Sequence, residues 1–185
     1  MAHVGQIVSS PLTRIVFLET YASSGGKKLV FEETYQPSTP APPKHRHPNQ
    51  DEKFTCLSGL LGVQVGNKKM ILEPGQSATA PANSAHTLWN AGDEPCVHLV
   101  EMTPPANFED FFESIVKMEA QGRVPGGPNF SFFEFVMTVS KFENYFPIIP
   151  VFIQKKIFAI LNWVGKIKGK SDFKIASESA GVNCG

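Results

Sequence analysis

Four side chains in two separate segments have the types and the spacing of metal ligands. His45 and His47 are separated by one residue, Glu52 follows five residues later, and a distant second segment contributes His86. Side chains two residues apart on an extended chain point to the same side, so His45 and His47 face a common point. A short loop allows Glu52 to return to that side on the next strand. The spacing therefore predicts a site where the two segments converge.

Three neutral imidazoles and one carboxylate suit a borderline divalent ion, and Fe, Mn, Ni, Cu, Co and Zn all remain open. Four protein ligands on an ion that prefers six leave two positions for water, dioxygen or substrate. Structural zinc sites are usually closed and tetrahedral, so this ligand set is typical of catalysis instead. We predict one divalent metal ion as the cofactor.

Both segments resemble the motifs of the cupin superfamily. His45–Gly59 follows H-x-H-x4-E-x6-G, and Gly75–Asn90 follows G-x5-P-x-N-x2-H-x3-N. The first motif lacks its usual opening glycine. Asn83 replaces the central glycine of the second motif, and asparagine tolerates the same left-handed turn. Neither departure touches a ligand.

The resemblance covers roughly residues 10–105 and implies a mainly β fold, the cupin double-stranded β-helix or jelly-roll barrel. The chain resembles small single-domain cupins that carry a C-terminal α-helical extension. The local patterns agree with that fold. Residues 13–22 and 28–35 are rich in β-formers, and turn residues punctuate the stretch from His45 to Met102. We expect a barrel over residues 1–106.

Residues 107–185 are predicted to form a helical extension and a flexible tail. Apolar residues recur at helical spacing between Asn107 and Gly122, after Asn129, and from Pro150 to about Ile167. The residues after Gly169 have the composition of a loose tail. The helices are expected to pack on the barrel or on a second subunit. Two alternatives are a lid over the barrel mouth and an element lying on a membrane surface.

Strand alternation predicts which side chains surround the metal. Phe54 and Cys56 share the parity of Glu52, and Leu88 and Asn90 share that of His86, so these four are the candidate substrate pocket. Arg46 lies between the two histidines and should point away. A wall with no arginine from the motif strands disfavours a small dianion or an amino acid, because burying such charges needs a cation; Arg14 remains open as such a cation. An aromatic, polyketide-like or otherwise apolar small molecule is expected.

The resemblance leaves the reaction open, because one fold hosts many activities. The leading hypothesis is a metal-dependent oxygenase, specifically a dioxygenase. In the non-redox alternative, an isomerase, cyclase or dehydratase, the metal acts as a Lewis acid and the catalytic groups Glu52 or His98 move protons. A sensor that binds a small molecule without converting it is the third possibility. Cys56 is either a tuning group near the metal or a small core residue.

Composition limits the partners and the compartment. Lysine plus arginine and aspartate plus glutamate both number 17, so no basic footprint for nucleic acid is present. Three cysteines without paired spacing favour a reducing cytoplasm. The longest apolar stretch, near residues 146–164, is interrupted by charged residues and falls short of a membrane span. An open strand edge and the phenylalanine-rich helices predict a homodimer.

Overall fold

The computed structural model describes residues 1–167, with side chains described up to residue 163. The predicted tail after Gly169 and Cys184 lie outside the described residues. Within the described range the chain forms nine strands followed by three helices. The strands are β1 Ile7–Ser9, β2 Thr13–Glu19, β3 Leu29–Tyr35, β4 Asp51–Ser58, β5 Leu61–Val65, β6 Lys68–Leu72, β7 Ser77–Ala80, β8 His86–Asn90 and β9 Cys96–Thr103. The helices are α1 Phe108–Ala120, α2 Phe132–Val139 and α3 Val151–Ile167.

The strands form two antiparallel sheets, and the mainly β jelly-roll barrel with C-terminal helices is confirmed. One sheet has six strands in the order β1-β2-β3-β9-β4-β7, and the other has three in the order β6-β5-β8. Strands distant in sequence are therefore neighbours, as when β9 lies between β3 and β4. This arrangement brings Glu33 opposite His98 and places Cys56 on the other side of His98. β1 was not predicted from the sequence.

Alternation of buried and less buried residues along β4 contributes to the barrel core. On β4, Glu52, Phe54 and Cys56 are buried, whereas the intervening Lys53 is exposed. The alternation ends at a register shift between Cys56 and Ser58, where a bulge leaves Ser58 exposed. Gly59 follows with φ +75°, and a Cβ there would lie 2.8 Å from the carbonyl oxygen of Pro95. Glycine is needed at this turn for both reasons.

The first two helices form where the apolar periodicity predicted them. α1 begins after Asn107, as expected, although the Asn107 side chain makes no capping hydrogen bond. α2 is capped by Ser131, whose hydroxyl accepts a hydrogen bond from the backbone N–H of Glu134. The apolar face of α1 packs on the barrel, where the rings of Phe31 and Phe112 lie 4.4 Å apart.

α3 packs less completely than α1. Phe158 is buried against Tyr145, with the two rings stacked 6.0 Å apart. On its outer side Phe152, Ile160 and Trp163 are each more than 60% exposed. No helix within residues 1–167 is long and apolar enough to cross a membrane. The division of the chain at residues 106 and 107 stays a proposal, and the last strand ends and the first helix begins on either side of it.

Candidate metal centre and cavity

Backbone pairing brings the two ligand-bearing segments together. His45 and His86 form an isolated antiparallel bridge, in which each N–H donates to the other's carbonyl, at 3.0 and 2.8 Å. The N–H of Asn83 donates to the carbonyl oxygen of His47 at 2.6 Å. Asn83 has φ +65°, so it occupies the left-handed turn expected of it. The turn therefore holds the second motif against the first.

The four predicted ligands form one compact cluster. One potential ligand atom from each of His45, His47, Glu52 and His86 lies within 4.8 Å of the others. The Glu52 Oε2 atom lies 2.8 Å from His86 Nε2 and 3.5 Å from His47 Nε2. The imidazole ring centres are 4.5 to 5.2 Å apart. Glu52, His47 and His86 are each at least 94% buried.

Every imidazole of the cluster is oriented by a backbone carbonyl. The Nδ1 atoms of His45, His47 and His86 lie 2.8, 3.0 and 2.9 Å from the carbonyl oxygens of Pro43, Glu143 and Ser84. A carbonyl only accepts hydrogen bonds, so a neutral imidazole carries its proton on Nδ1. The Nε2 lone pair of each ring is then directed to the centre, which is the usual arrangement of metal-binding histidines.

The ionisation of the cluster follows from its burial. Burial and the neighbouring rings of His86 and His47 lower the pKa of His45 to about 3, so this imidazole is neutral at ordinary pH. Burial alone would raise the pKa of Glu52, but the close imidazoles of His47 and His86 outweigh that effect and lower it. For His86, burial opposes protonation, but Glu52 prevails and raises its pKa.

The residues fit a divalent ion. Glu52 Oε2 and His86 Nε2 are buried atoms without a hydrogen bond of good geometry, and both face the centre of the cluster. Two atoms bound to one ion at about 2.1 Å are at most about 4.2 Å apart, so the ligand atoms need to shift by about half an ångström. A mixed nitrogen and oxygen donor set is appropriate for the first-row ions named above.

Comparison with known proteins agrees with the fold and the motifs. Residues 31–101 match the family model described as the cupin domain. This part of the chain is therefore similar to a cupin domain. No curated protein sequence matches it significantly. The matched range includes all four residues of the cluster, His45, His47, Glu52 and His86.

Three solved structures illustrate the fold similarity. KdgF from Halomonas sp. is 15% identical, over 59% of this chain and 94% of that chain, with a TM-score of 0.49. A predicted oxalate decarboxylase from Thermotoga maritima is 15% identical, over 56% and 98%, with a TM-score of 0.49. A sugar phosphate isomerase from Silicibacter pomeroyi is 25% identical, over 48% and 59%, with a TM-score of 0.42.

The helical extension contributes to the histidine cluster, which the sequence analysis did not foresee. The carbonyl oxygen that orients His47 belongs to Glu143, between α2 and α3. The carboxylate of Glu143 accepts hydrogen bonds from Asn49 and from the buried Gln50, the latter at 2.9 Å. Arg46 points away from the cluster, as predicted, and donates to the carbonyls of Pro147 and Ile149.

A cavity of about 140 Å³ adjoins the cluster inside the cupin barrel. His45 and His47 line one part of it, and Leu88 of the predicted pocket lies on its wall. The other three predicted pocket residues are not on this wall. Phe54 is fully buried with its ring 6.0 Å from that of His86, Cys56 is buried in the core, and Asn90 donates to backbone carbonyls. Parity identified inward residues but not the cavity's position.

α1 and α2 contribute to the wall of this cavity. Phe111 and Phe112 of α1 and Phe135 of α2 lie there, on helices that also contribute to the hydrophobic core. The lid, the alternative role of the helices, stays a prediction. The periodicity of the phenylalanines was the available signal, but it marks an apolar face without naming what that face covers.

His98 is not on the cavity wall. It is fully buried, and its Nε2 atom lies 3.1 Å from the Oε2 atom of Glu33. Glu33 does line the cavity, beside Tyr35. A substrate would therefore meet Glu33, with His98 behind it. No motif marked Glu33, and its only sequence signal is a carboxylate at an inward position of β3.

Proposed function

We propose that this cupin is a metal-dependent enzyme acting on a small, largely apolar or aromatic molecule. The observation that carries the proposal is the set of three imidazoles, each oriented by a backbone carbonyl, and one buried carboxylate, beside a cavity of about 140 Å³. A divalent ion bound there would supply Lewis acidity or, for a redox metal, electron transfer to dioxygen.

The protein supplies binding, orientation and exclusion of water. Among the described residues, the cavity wall carries no lysine or arginine, and Phe111, Phe112 and Leu88 make it largely apolar. Arg14 is on the outer side, in an ion pair with Glu32. A cavity of about 140 Å³ is comparable to engineered cavities that hold one benzene molecule, so the substrate is expected to be of about that size.

Within this class we propose an oxygenase, specifically a dioxygenase, because four protein ligands on an ion that prefers six leave two positions for dioxygen and substrate. A non-redox isomerase, cyclase or dehydratase is the second candidate, and Glu33 favours it. This carboxylate lies on the cavity wall and is separate from the metal ligands, so it can exchange a proton with a substrate. His98 is then its positioning partner.

The test begins with metal content. The purified protein, produced without added metal, is expected to hold about one divalent ion per chain by elemental analysis. H86A is expected to lose it, whereas H3A, which removes an exposed histidine far from the cluster, should retain it. Equal metal loss from both variants would refute the site.

The two reactions differ in their need for dioxygen. Turnover that consumes dioxygen supports the oxygenase, and turnover in anoxic buffer with zinc bound supports the non-redox route. Binding of a natural ligand that is never converted would contradict both and favour a sensor.

We further propose a homodimer and a cytoplasmic location, the latter supported by the free buried thiols of Cys56 and Cys96.

A further inference from the structure

One part of the cavity wall carries buried polar groups that have no part in the metal cluster. Glu33 and Tyr35 of β3 lie there, and Glu119 of α1 faces the same cavity. Glu33 is only 5% exposed and Tyr35 only 7%. In the sheet, Glu33 of β3 lies opposite His98 of β9, and His98 lies opposite Cys56 of β4. Cys56 is four residues along β4 from the cluster residue Glu52, so Glu33 and the cluster lie at different levels of the barrel. The cavity thus has a metal-ligand end and a carboxylate end.

The carboxylate of Glu33 is held in a defined position. Its Oε2 atom lies 3.1 Å from His98 Nε2, and the His98 ring meets that of Tyr35 edge-on at 5.0 Å. The Nδ1 atom of His98 is buried without a hydrogen-bond partner. Burial and the neighbouring Glu33 raise the pKa of Tyr35 well above its usual value, so its hydroxyl stays protonated. Burying a carboxylate is costly, and an apolar residue would serve the barrel core better.

The charges on the wall favour a cation. Glu119 is oriented by the hydroxyl of Ser10, which donates to its carboxylate. The described wall therefore presents two carboxylates and no lysine or arginine to an occupant. The rings of Phe111 and Phe112 also line the cavity, and aromatic faces attract cations as well. An anionic group placed at this end would instead meet like charges.

We propose that Glu33, Glu119 and Tyr35 form a subsite for a protonated amine, carried by a small aromatic or apolar substrate whose other end reaches the histidine cluster. The inference rests on the proposed function in taking this cavity as the substrate site. It narrows the substrate from any apolar molecule to an apolar amine. Glu33 is the residue that determines this specificity, and His98 positions it.

The test compares two probes of equal shape, benzylamine and benzyl alcohol, by calorimetric titration of the metal-loaded protein. We expect benzylamine to bind at least about tenfold more tightly, because a hydrogen bond between charged groups is about twice as strong as one between neutral groups. E33Q should abolish that preference. E32Q, which changes the exposed neighbour on the outer face of β3, should preserve it.

Equal affinities for the two probes, no binding of benzylamine, or an unchanged preference in E33Q would each overturn the subsite. Thermal unfolding tests whether E33Q is folded. If E33Q does not fold, E119Q replaces it, and we expect E119Q to weaken the preference for benzylamine over benzyl alcohol. Metal content measured on the same samples separates the two proposals. An amine preference without metal leaves the subsite intact, and metal binding without an amine preference refutes the subsite alone.

Discussion

Replacement of Glu143 by alanine tests whether the helical extension is part of the metal centre. E143A removes the carboxylate that accepts from Asn49 and from the buried Gln50, while the carbonyl that orients His47 remains but is less firmly held. One hydrogen bond between a charged acceptor and a buried amide contributes about 1.5 kcal/mol, and the exposed Asn49 adds little. Loss of a group that orients a ligand lowers metal affinity about 10- to 100-fold. Because the carbonyl is retained, we expect about tenfold, or about 1.4 kcal/mol.

The assay is competition for the metal with a chromophoric chelator, combined with urea unfolding of the metal-free protein. E113A is the matched control. The carboxylate of Glu113 on α1 also accepts a hydrogen bond from a side-chain amide, that of Gln6, at 2.8 Å, but neither residue belongs to the cluster. It should leave metal affinity unchanged. An unchanged affinity in E143A, or the same decrease in both variants, would refute the reasoning.

Two further predictions concern acid stability and assembly. Because burial lowers the pKa of His45 to about 3, against about 6.5 in the unfolded chain, the unfolded state binds more protons between these values and the free energy of unfolding of the metal-free protein should rise with pH across that window. The lowered pKa of Glu52 also makes the free energy of unfolding rise with pH, at the acid end of the range, whereas the raised pKa of His86 has the opposite effect. Urea unfolding of H45N should therefore show a weaker pH dependence than that of the wild-type protein. The exposed apolar side of α3 predicts a dimer, so light scattering should give twice the mass of one chain. I160E on that side should give the mass of a single chain. The control I71E, which changes an exposed isoleucine of β6, should leave the dimer intact. A monomeric wild-type protein would contradict the homodimer.

The extension adds contacts that a bare barrel would lack. α1 and α2 line part of the cavity, and the segment after α2 supplies a carbonyl to His47 and a carboxylate to Gln50. The edge of the His47 ring also meets Phe108 of α1, with ring centres 4.6 Å apart. Changes in the extension are therefore expected to alter metal binding as well as stability.

Much of the site was accessible from the sequence because it depends on local periodicity. Alternation along a strand places His45 and His47 on one side and buries Glu52, Phe54 and Cys56 together, with no knowledge of distant contacts. The apolar repeat of α1 and the left-handed turn at Asn83 are local for the same reason. These features, together with the resemblance of the two segments to the cupin motifs, let the ligand set and the barrel be predicted from the sequence.

Only the tertiary structure decided what lies opposite these residues. Glu33 lies on the cavity wall and His98 lies behind it. This placement depends on the position of β9 between β3 and β4 and on a strand register that no local pattern encodes. Likewise Glu143 reaches His47 across 96 positions of the sequence. Strand order and helix docking depend on the packing of the whole chain, whereas side-chain parity depends on two neighbouring residues. The candidate ligands were therefore readable from residue types and spacing, whereas the position, the charge and the lining of the cavity beside them follow from tertiary contacts.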